Sequence, residues 1–528
     1  MSVNLIGRTP HATALNVARR SRELADLAGD PVVDLLVIGG GITGTGIALD
    51  AASRGLRTVL VERRDLAHGT SRWSSKLVHG GLRYLASGQF AIAHESAAER
   101  HLLMTRIAPH LTRSMAQVMP LYAPGHMTRG AYVGIGYGLG DGLRRIVGTP
   151  DAVLQAPGPI GRDEILRLTP ALRTEALRGG MRGWDGQLID DARLVLAVAR
   201  TAAGYGASVL TRVEAVSATG DGAVLRDELT GSELFVRARA VVSATGVWAG
   251  ELDDGVRLRP SRGTHLVVET SRLGGADASL TVAVPGSSSR FVLTIPGPHG
   301  RTYIGLTDVP ADGPLPEVPH ATQEEIDMLL ATLNTVLADP LTRDDVIATY
   351  AGLRPLLSPA EGATDDTSDL SRRHAHLVSA NGVLSVVGGK LTTYRRMAED
   401  GVDEAVRLRF REGRVPASRT RTIPLVGAWP RARLAEIAAP ARFVRRYGAE
   451  APFVSRLPDG PAAARGVTPQ ELQWGVEVEG ALTIDDLLDR RTRLGLVEAD
   501  REASTDAAAA AFARAGVAPA EVPEPART

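Results

Sequence analysis

The chain has 528 residues, 60 Lys+Arg against 60 Asp+Glu, 57 glycines, 4% aromatics and no cysteine. At roughly 150 residues per domain, this length suggests about two to four domains. The lack of Cys excludes disulfides, thiolate metal sites, iron–sulfur clusters, Cys nucleophiles and thioether-linked flavin, and the neutral charge balance gives no reason to expect a nucleic-acid partner.

No apolar stretch reaches the ~18 residues of a spanning helix. The first 30 residues carry several Arg and no apolar signal core, so a cytoplasmic location is expected. Within that extension Arg19 to Leu27 reads as a short polar helix. Val32–Ile38 is an apolar run that suits a parallel strand buried on both faces. Ile47–Arg54 reads as a helix and Thr58–Val61 as the next strand, the pattern of a βαβ unit. Met127–Arg145 has Gly130, Gly134 and Gly138 four apart and Arg near both ends. It admits two readings: an interfacial segment at a membrane surface, or a glycine-rich loop inside the protein. Further strands are predicted at Ser208–Val213, Ala238–Ser243, His265–Val268, Phe291–Ile295, Thr302–Gly305 and Val383–Val387. Beyond Pro424–Pro430 the pattern turns helical, at Leu472–Leu494 and Ala507–Ala513, and Val517–Thr528 reads as disordered.

Gly39-Gly40-Gly41-Ile42-Thr43-Gly44 fits GxGxxG directly after a strand and before a helix. Gly39 permits the tight turn, Gly41 lets the backbone approach a pyrophosphate, and Gly44 lets helix and strand pack closely. Glu62 closes the next strand, placed to accept hydrogen bonds from an adenosine ribose. Its negative charge favours FAD or NAD over NADP. Ala67–Leu85, AHGTSRWSSKLVHGGLRYL, then sets Thr70, Ser71, Ser74 and Ser75 beside Lys76, His79 and two glycines. Such a run of small donors suits a backbone that wraps phosphates and a flavin edge. Gly388–Tyr394, GGKLTTY, follows a strand and opens a helix whose N–H groups can face a flavin carbonyl. All but two of the basic residues are arginines, and the two lysines, Lys76 and Lys390, lie inside these last two motifs. Lysine is expected to persist where a compact ammonium cannot be replaced by a planar guanidinium.

These motifs, with WDGQLIDDARLVL, SATGVWA, RGTHLVV, GLRPLL, SRRHAHL and DDLLDRRTRLGL, resemble the FAD-dependent, quinone-linked glycerol-3-phosphate dehydrogenases of the D-amino-acid-oxidase-like flavoprotein group. The resemblance runs from about Val32 to Leu496. It implies an α/β fold: a Rossmann-like FAD-binding domain interleaved with an antiparallel-sheet substrate domain, plus a C-terminal helical domain. On this reading residues 1–30 are an extension. The FAD domain takes 31–110, 181–260 and 350–410, the substrate domain 111–180 and 261–349, the helical domain 425–515, and 516–528 are a disordered tail. The resemblance further implies non-covalent FAD, sn-glycerol 3-phosphate as substrate, and electrons passed to a membrane quinone by a protein peripheral on the membrane. A homodimer stays open as an assembly, and no metal site is expected.

Oxidation of a secondary alcohol by flavin needs a base for the hydroxyl proton. His265 in Arg262-Gly263-Thr264-His265 is the first candidate, with a reference pKa near 6.5 suited to neutral pH; His79 is its competitor. A dianionic phosphate needs fixed cations, and the motifs single out Arg83, Arg354, Arg372 and Lys390. The resemblance gives Arg354, Arg372 and Lys390 substrate contacts, with Arg373 able to take the role of Arg372. Lys390 can also stabilise negative charge on a reduced flavin. The expected cofactor contacts are Gly39, Gly41, Gly44, Glu62, Thr70, Ser71, Ser75, Lys76, Leu77, Val213, Gly246, Gly389, Leu391 and Thr392. The alternatives are an oxygen-using glycerol-3-phosphate oxidase, an amine or amino-acid oxidoreductase of the same fold, and a non-catalytic redox-sensing module.

Overall fold

The apolar run at Val33–Ile38 becomes the central strand of a parallel sheet. The computed structural model describes residues 10–81, 84–85, 88–252, 255–287, 290–357, 374–410 and 415–521. Strands Ser208–Thr211, Thr58–Glu62, Val33–Ile38, Glu233–Ser243 and Leu384–Gly388 lie side by side in that order, all parallel. His374–Val378 adds an antiparallel edge, and the Val213–Thr219/Gly222–Asp227 hairpin extends from Glu233–Ser243. The first helix after the central strand spans Ile42–Ser53, not Ile47–Arg54. It begins earlier because Gly44 lies inside its first turn, where a Cβ would fall onto the carbonyl oxygen of Gly39. The polar helix predicted at Arg19 to Leu27 is present as Val17–Ala28, capped by the Asn16 side chain. It is docked on the body, where Arg20 pairs with Asp227 at 2.5 Å.

A second sheet of ten strands packs beside the first. Its two longest strands, Thr112–Tyr122 and Leu177–Leu188, pair antiparallel along their length. The sequence pattern predicts neither, because Gly179, Gly180, Gly183 and Gly186 break the apolar alternation of the second. The glycines allow close approach: a Cβ at Gly186 would sit 2.9 Å from the carbonyl oxygen of Val78. The rest of the sheet includes Ser261–Glu269, Ser279–Ala283, Phe291–Pro296, Arg301–Gly305 and Ala348–Arg354. It is antiparallel except where Ser279–Ala283 runs parallel to Thr112–Tyr122. Leu177–Leu188 and Ala348–Arg354 fall partly within segments expected for the FAD domain, yet they pair in this second sheet. Met127–Arg145, which the sequence left between helix and loop, lies in a helix, His126–Ile146.

The helix predicted at Leu472–Leu494 is broken. Pro469–Glu477 is helical, Gly480 takes a left-handed φ of +70°, and a wider-wound turn follows at Asp486–Arg491. The break turns a row of arginines back onto the body. Arg490 and Arg491 meet Asp65 at 2.6 and 2.5 Å, and Arg212 meets Asp486 at 3.0 Å. Arg193 grips Glu479 through two bonds of 2.7 and 2.8 Å. Removing one partner of such a buried pair typically costs about 3–5 kcal/mol. The predicted Ala507–Ala513 helix lies within Thr505–Arg514. The tail expected to be disordered from Val517 is in part ordered, since the Val517 N–H donates to the Phe512 carbonyl at 3.2 Å and the Ala520 N–H to the Leu482 carbonyl at 2.7 Å; its remainder beyond Glu521 lies outside the described residues.

Burial pushes the Glu479 carboxyl up, but the guanidinium of Arg193 outweighs it and holds the group below the ordinary carboxylate range. The stabilisation is therefore complete above the unfolded value of about 4.3 and is lost as pH falls through the lower folded value. Glu479→Gln is expected to lower stability at pH 7 by about 3–5 kcal/mol in urea unfolding. The gap between variant and parent should close as pH falls below about 4.

Candidate active site

Between the two sheets lies a cavity of ≈ 520 Å³. One end is built by the glycine loop. Gly39 has φ +113°, and Gly41 opens the Ile42–Ser53 helix, so the N-terminal end of that helix lies on the cavity wall. The Ile42 N–H donates to Ser71 Oγ at 2.9 Å. Glu62 accepts from the Gly40 N–H at 2.6 Å through one oxygen and from the Arg64 N–H at 2.7 Å through the other. Burial raises its pKa, and those two backbone N–H groups oppose the rise. Each carboxylate oxygen keeps a lone pair for a ribose hydroxyl. Thr70, Val213 and Gly246 line the same cavity, and Thr70 donates its hydroxyl to the Leu353 carbonyl at 2.6 Å. Gly44 lies behind the loop, as its packing role requires.

The other end is formed by Ser75, Leu77, His265, Arg354, Gly389, Lys390, Leu391 and Thr392. Gly389 has φ +77°, and the Leu391–Thr393 turn leads into the helix Tyr394–Arg409. This presents a second helix start to the cavity. The glycine loop, the acceptor pair on Glu62 and this second helix start fit FAD: one phosphate cradle, one ribose acceptor, and donors for a ring carbonyl.

His265 lies mid-strand in Ser261–Glu269, opposite Tyr350 on one side and Gly305 on the other. A Cβ at Gly305 would overlap the imidazole, so glycine makes the room. The imidazole stacks on Tyr350 with centroids 4.6 Å apart and planes 11° apart. His265 Nε2 lies 2.9 Å from Ser75 Oγ, and Nδ1 is buried with no hydrogen-bond partner among the described residues. Burial, then the charges of Lys76 and Arg354, push the ring well below the usual histidine pKa. Arg354 is braced by Ser261 Oγ and Asp308 Oδ1 at 3.1 Å each and by the Thr307 carbonyl at 3.1 Å. The Lys390 ammonium donates to Ser96 Oγ at 2.8 Å and sits 3.8 Å from the centre of the Tyr84 ring. His79 lines the cavity too, stacked on Tyr84 with centroids 6.5 Å apart.

Lys76, expected among the cofactor contacts, turns away from the cavity. Its φ is +56°, its N–H donates to Ser74 Oγ at 2.9 Å, and its ammonium is buried 3.2 Å from Asp191 Oδ2. It sits 4.7 Å from the centre of the Tyr350 ring. Arg83 and Arg372 lie outside the described residues. Sequence reasoning missed Tyr350 and Asp191. For Tyr350 a signal existed, because Tyr350, Gly352 and Arg354 alternate along one strand and so share a face. Asp191 is visible in the sequence only as the second acid of a helix start capped by Asp190.

Residues 34–395 match the model of the family described as FAD dependent oxidoreductase. The chain is 51% identical over 503 residues to glycerol-3-phosphate dehydrogenase 1 of Mycobacterium tuberculosis, covering 93% of this chain and 97% of that protein. It is 33% identical over 541 residues to the mitochondrial glycerol-3-phosphate dehydrogenase of Mus musculus, covering 92% and 71%. The X-ray structure of the Bacillus halodurans glycerol-3-phosphate dehydrogenase complexed with FAD superposes with a TM-score of 0.70 at 29% identity, covering 94% of each chain. The chain therefore belongs to the FAD-dependent oxidoreductase family, on the branch of the FAD-dependent glycerol-3-phosphate dehydrogenases, and its cofactor is FAD.

Proposed function

We propose that the protein oxidises sn-glycerol 3-phosphate to dihydroxyacetone phosphate and passes the electrons to a quinone. The observation that carries this reading is one cavity that holds the dinucleotide loop and, at its other end, the buried His265 with Arg354 and Lys390 on the wall. The glycerol-3-phosphate dehydrogenases matched along nearly the whole chain support the substrate. FAD, held by the glycine loop, Glu62 and the turn at Gly389–Thr392, would supply the acceptor for the hydride of the carbinol carbon.

The chain's own residues supply the rest. His265, which lines the cavity and has Nε2 2.9 Å from Ser75 Oγ, is the base for the substrate hydroxyl. Its depressed pKa keeps it neutral at pH 7 and hence able to accept that proton. Arg354 and Lys390 hold the phosphate dianion; each hydrogen bond to a charged group contributes about 1.5–3 kcal/mol. The dianion offsets the two cationic charges around the ring and raises its proton affinity when substrate is present. Asp308 and Ser261 keep the Arg354 fork aimed so that little side-chain freedom is lost on binding.

Quinone reduction places the enzyme at a lipid surface, and the helix His126–Ile146 suits such contact. Tyr132, Ile135, Leu139 and Ile146 repeat at helical spacing and are exposed at 62%, 66%, 51% and 71%. Gly130 and Gly134 face the body, where Leu121 and Met181 approach. Among the described residues no helix is long and apolar enough to cross a membrane, so the contact is interfacial.

Anaerobic glycerol 3-phosphate is expected to bleach the flavin absorbance of the purified holoenzyme, with a soluble quinone restoring it faster than oxygen does. Bleaching by D-alanine or sarcosine alone would refute the substrate, and faster recovery with oxygen would refute the acceptor. The double variant Ile135→Glu/Leu139→Glu is expected to lose co-sedimentation with anionic phospholipid vesicles while turnover with a soluble acceptor is kept. Unchanged sedimentation would remove this helix from the membrane contact.

A further inference from the structure

The imidazole of His265 is the first of a series of packed rings that runs behind the cavity wall through Tyr350 and returns to it at Trp73. Tyr350 stacks on it, and Trp73 stacks on Tyr350 with centroids 5.7 Å apart and planes 26° apart. Tyr303 meets Tyr350 edge-on at 5.6 Å, and the Tyr350 hydroxyl donates to the Ser74 carbonyl at 3.1 Å. Tyr350 is thus fixed on several sides, and the imidazole rests on it. Trp73 in turn carries two guanidiniums, Arg72 at 4.3 Å and Arg493 at 5.1 Å from the ring centre. An Arg over an indole face in a desolvated setting is among the stronger cation–π arrangements.

Arg493 comes from the C-terminal helical region, far from the cavity in sequence. It is 2% exposed and has a left-handed φ of +64°. Its two terminal nitrogens donate to the Arg72 carbonyl at 3.0 Å and the Asp489 carbonyl at 3.1 Å. One guanidinium therefore fastens the backbone just before Trp73 and covers its ring. From Trp73 the chain passes through Ser74, which bonds Asp191, to Ser75, which bonds His265.

We propose that Arg493 is a positioning residue for His265, acting through Trp73 and Tyr350, so that the C-terminal helical region is a working part of the dehydrogenase site. The proposal rests on the assignment of His265 as the base. It explains why a buried guanidinium is held in a backbone conformation that few side chains adopt. A ring shifted by about an ångström loses on the order of 10- to 100-fold in turnover, without a matching loss of cofactor or substrate binding.

The test is a double-mutant cycle on the full-length holoenzyme, measuring kcat, KM and flavin content with glycerol 3-phosphate and a soluble acceptor. Arg493→Ala is expected to lower kcat on the order of tenfold, with flavin stoichiometric and KM changed less than threefold, by the same positioning logic. In a His265→Ala background the same substitution should change the residual kcat less than about twofold, because the group it positions is gone. Arg493→Lys should recover part of the loss. Tyr350→Leu, which removes the ring on which the imidazole rests, is expected to show the same background dependence and serves if Arg493→Ala does not fold. Equal losses in both backgrounds, unchanged kcat in the intact background, or a loss reversed by added FAD would overturn the proposal. Unchanged kcat in His265→Ala alone would instead overturn the base assignment, a result read before Arg493 is touched.

Discussion

The segment Asp65 to Lys76 must be held still, because it serves both ends of the cavity at once. Asp65, buried, is the anchor. Desolvation disfavours its charge, but Arg491 and then Arg490 outweigh that cost and keep the carboxylate ionised far below its ordinary range. A few residues on, Ser71 takes the first N–H of the dinucleotide helix, Ser75 takes the ring nitrogen of His265, and Lys76 pins the turn to Asp191. Both guanidiniums come from the C-terminal region. Cofactor loop and base are thus braced from behind by the C-terminal region.

The same economy of charge explains the histidine. Lys76, Arg354 and burial all disfavour the imidazolium, so the free enzyme carries a neutral ring. A neutral ring is the useful one before substrate arrives. The cations that suppress its charge include one that would hold the phosphate, and the dianion relieves the suppression when proton transfer is needed. Lys76 acts in this picture without reaching the cavity. Its ammonium fits between Asp191 and two tyrosine faces, a space that suits a compact cation better than a planar fork.

Much of this was legible in the sequence where the physics is local. The glycine loop, its flanking strands and Glu62 are fixed by backbone sterics and short-range spacing, and each lies where expected. Ser75, His265, Arg354 and Lys390 do line one cavity. What escaped depends on long-range contact. Leu177–Leu188 hides as a strand because its glycines answer to neighbours across the sheet. The run through Leu494 looks continuous until Gly480 turns left-handed to bring its arginines back to Asp65. Lys76 sits between two cavity-lining residues and was read with them, but its left-handed backbone sends the side chain the other way. The stack on Tyr350 is a cross-strand pairing that only register reveals.

The claim at the centre is that His265 is held fixed and neutral until substrate arrives. The most direct measurement is ring-nitrogen NMR of the histidine-labelled, FAD-loaded protein at pH 7, with the His265 signal identified by its absence in His265→Gln. A neutral ring is the expected result; an imidazolium would contradict the account.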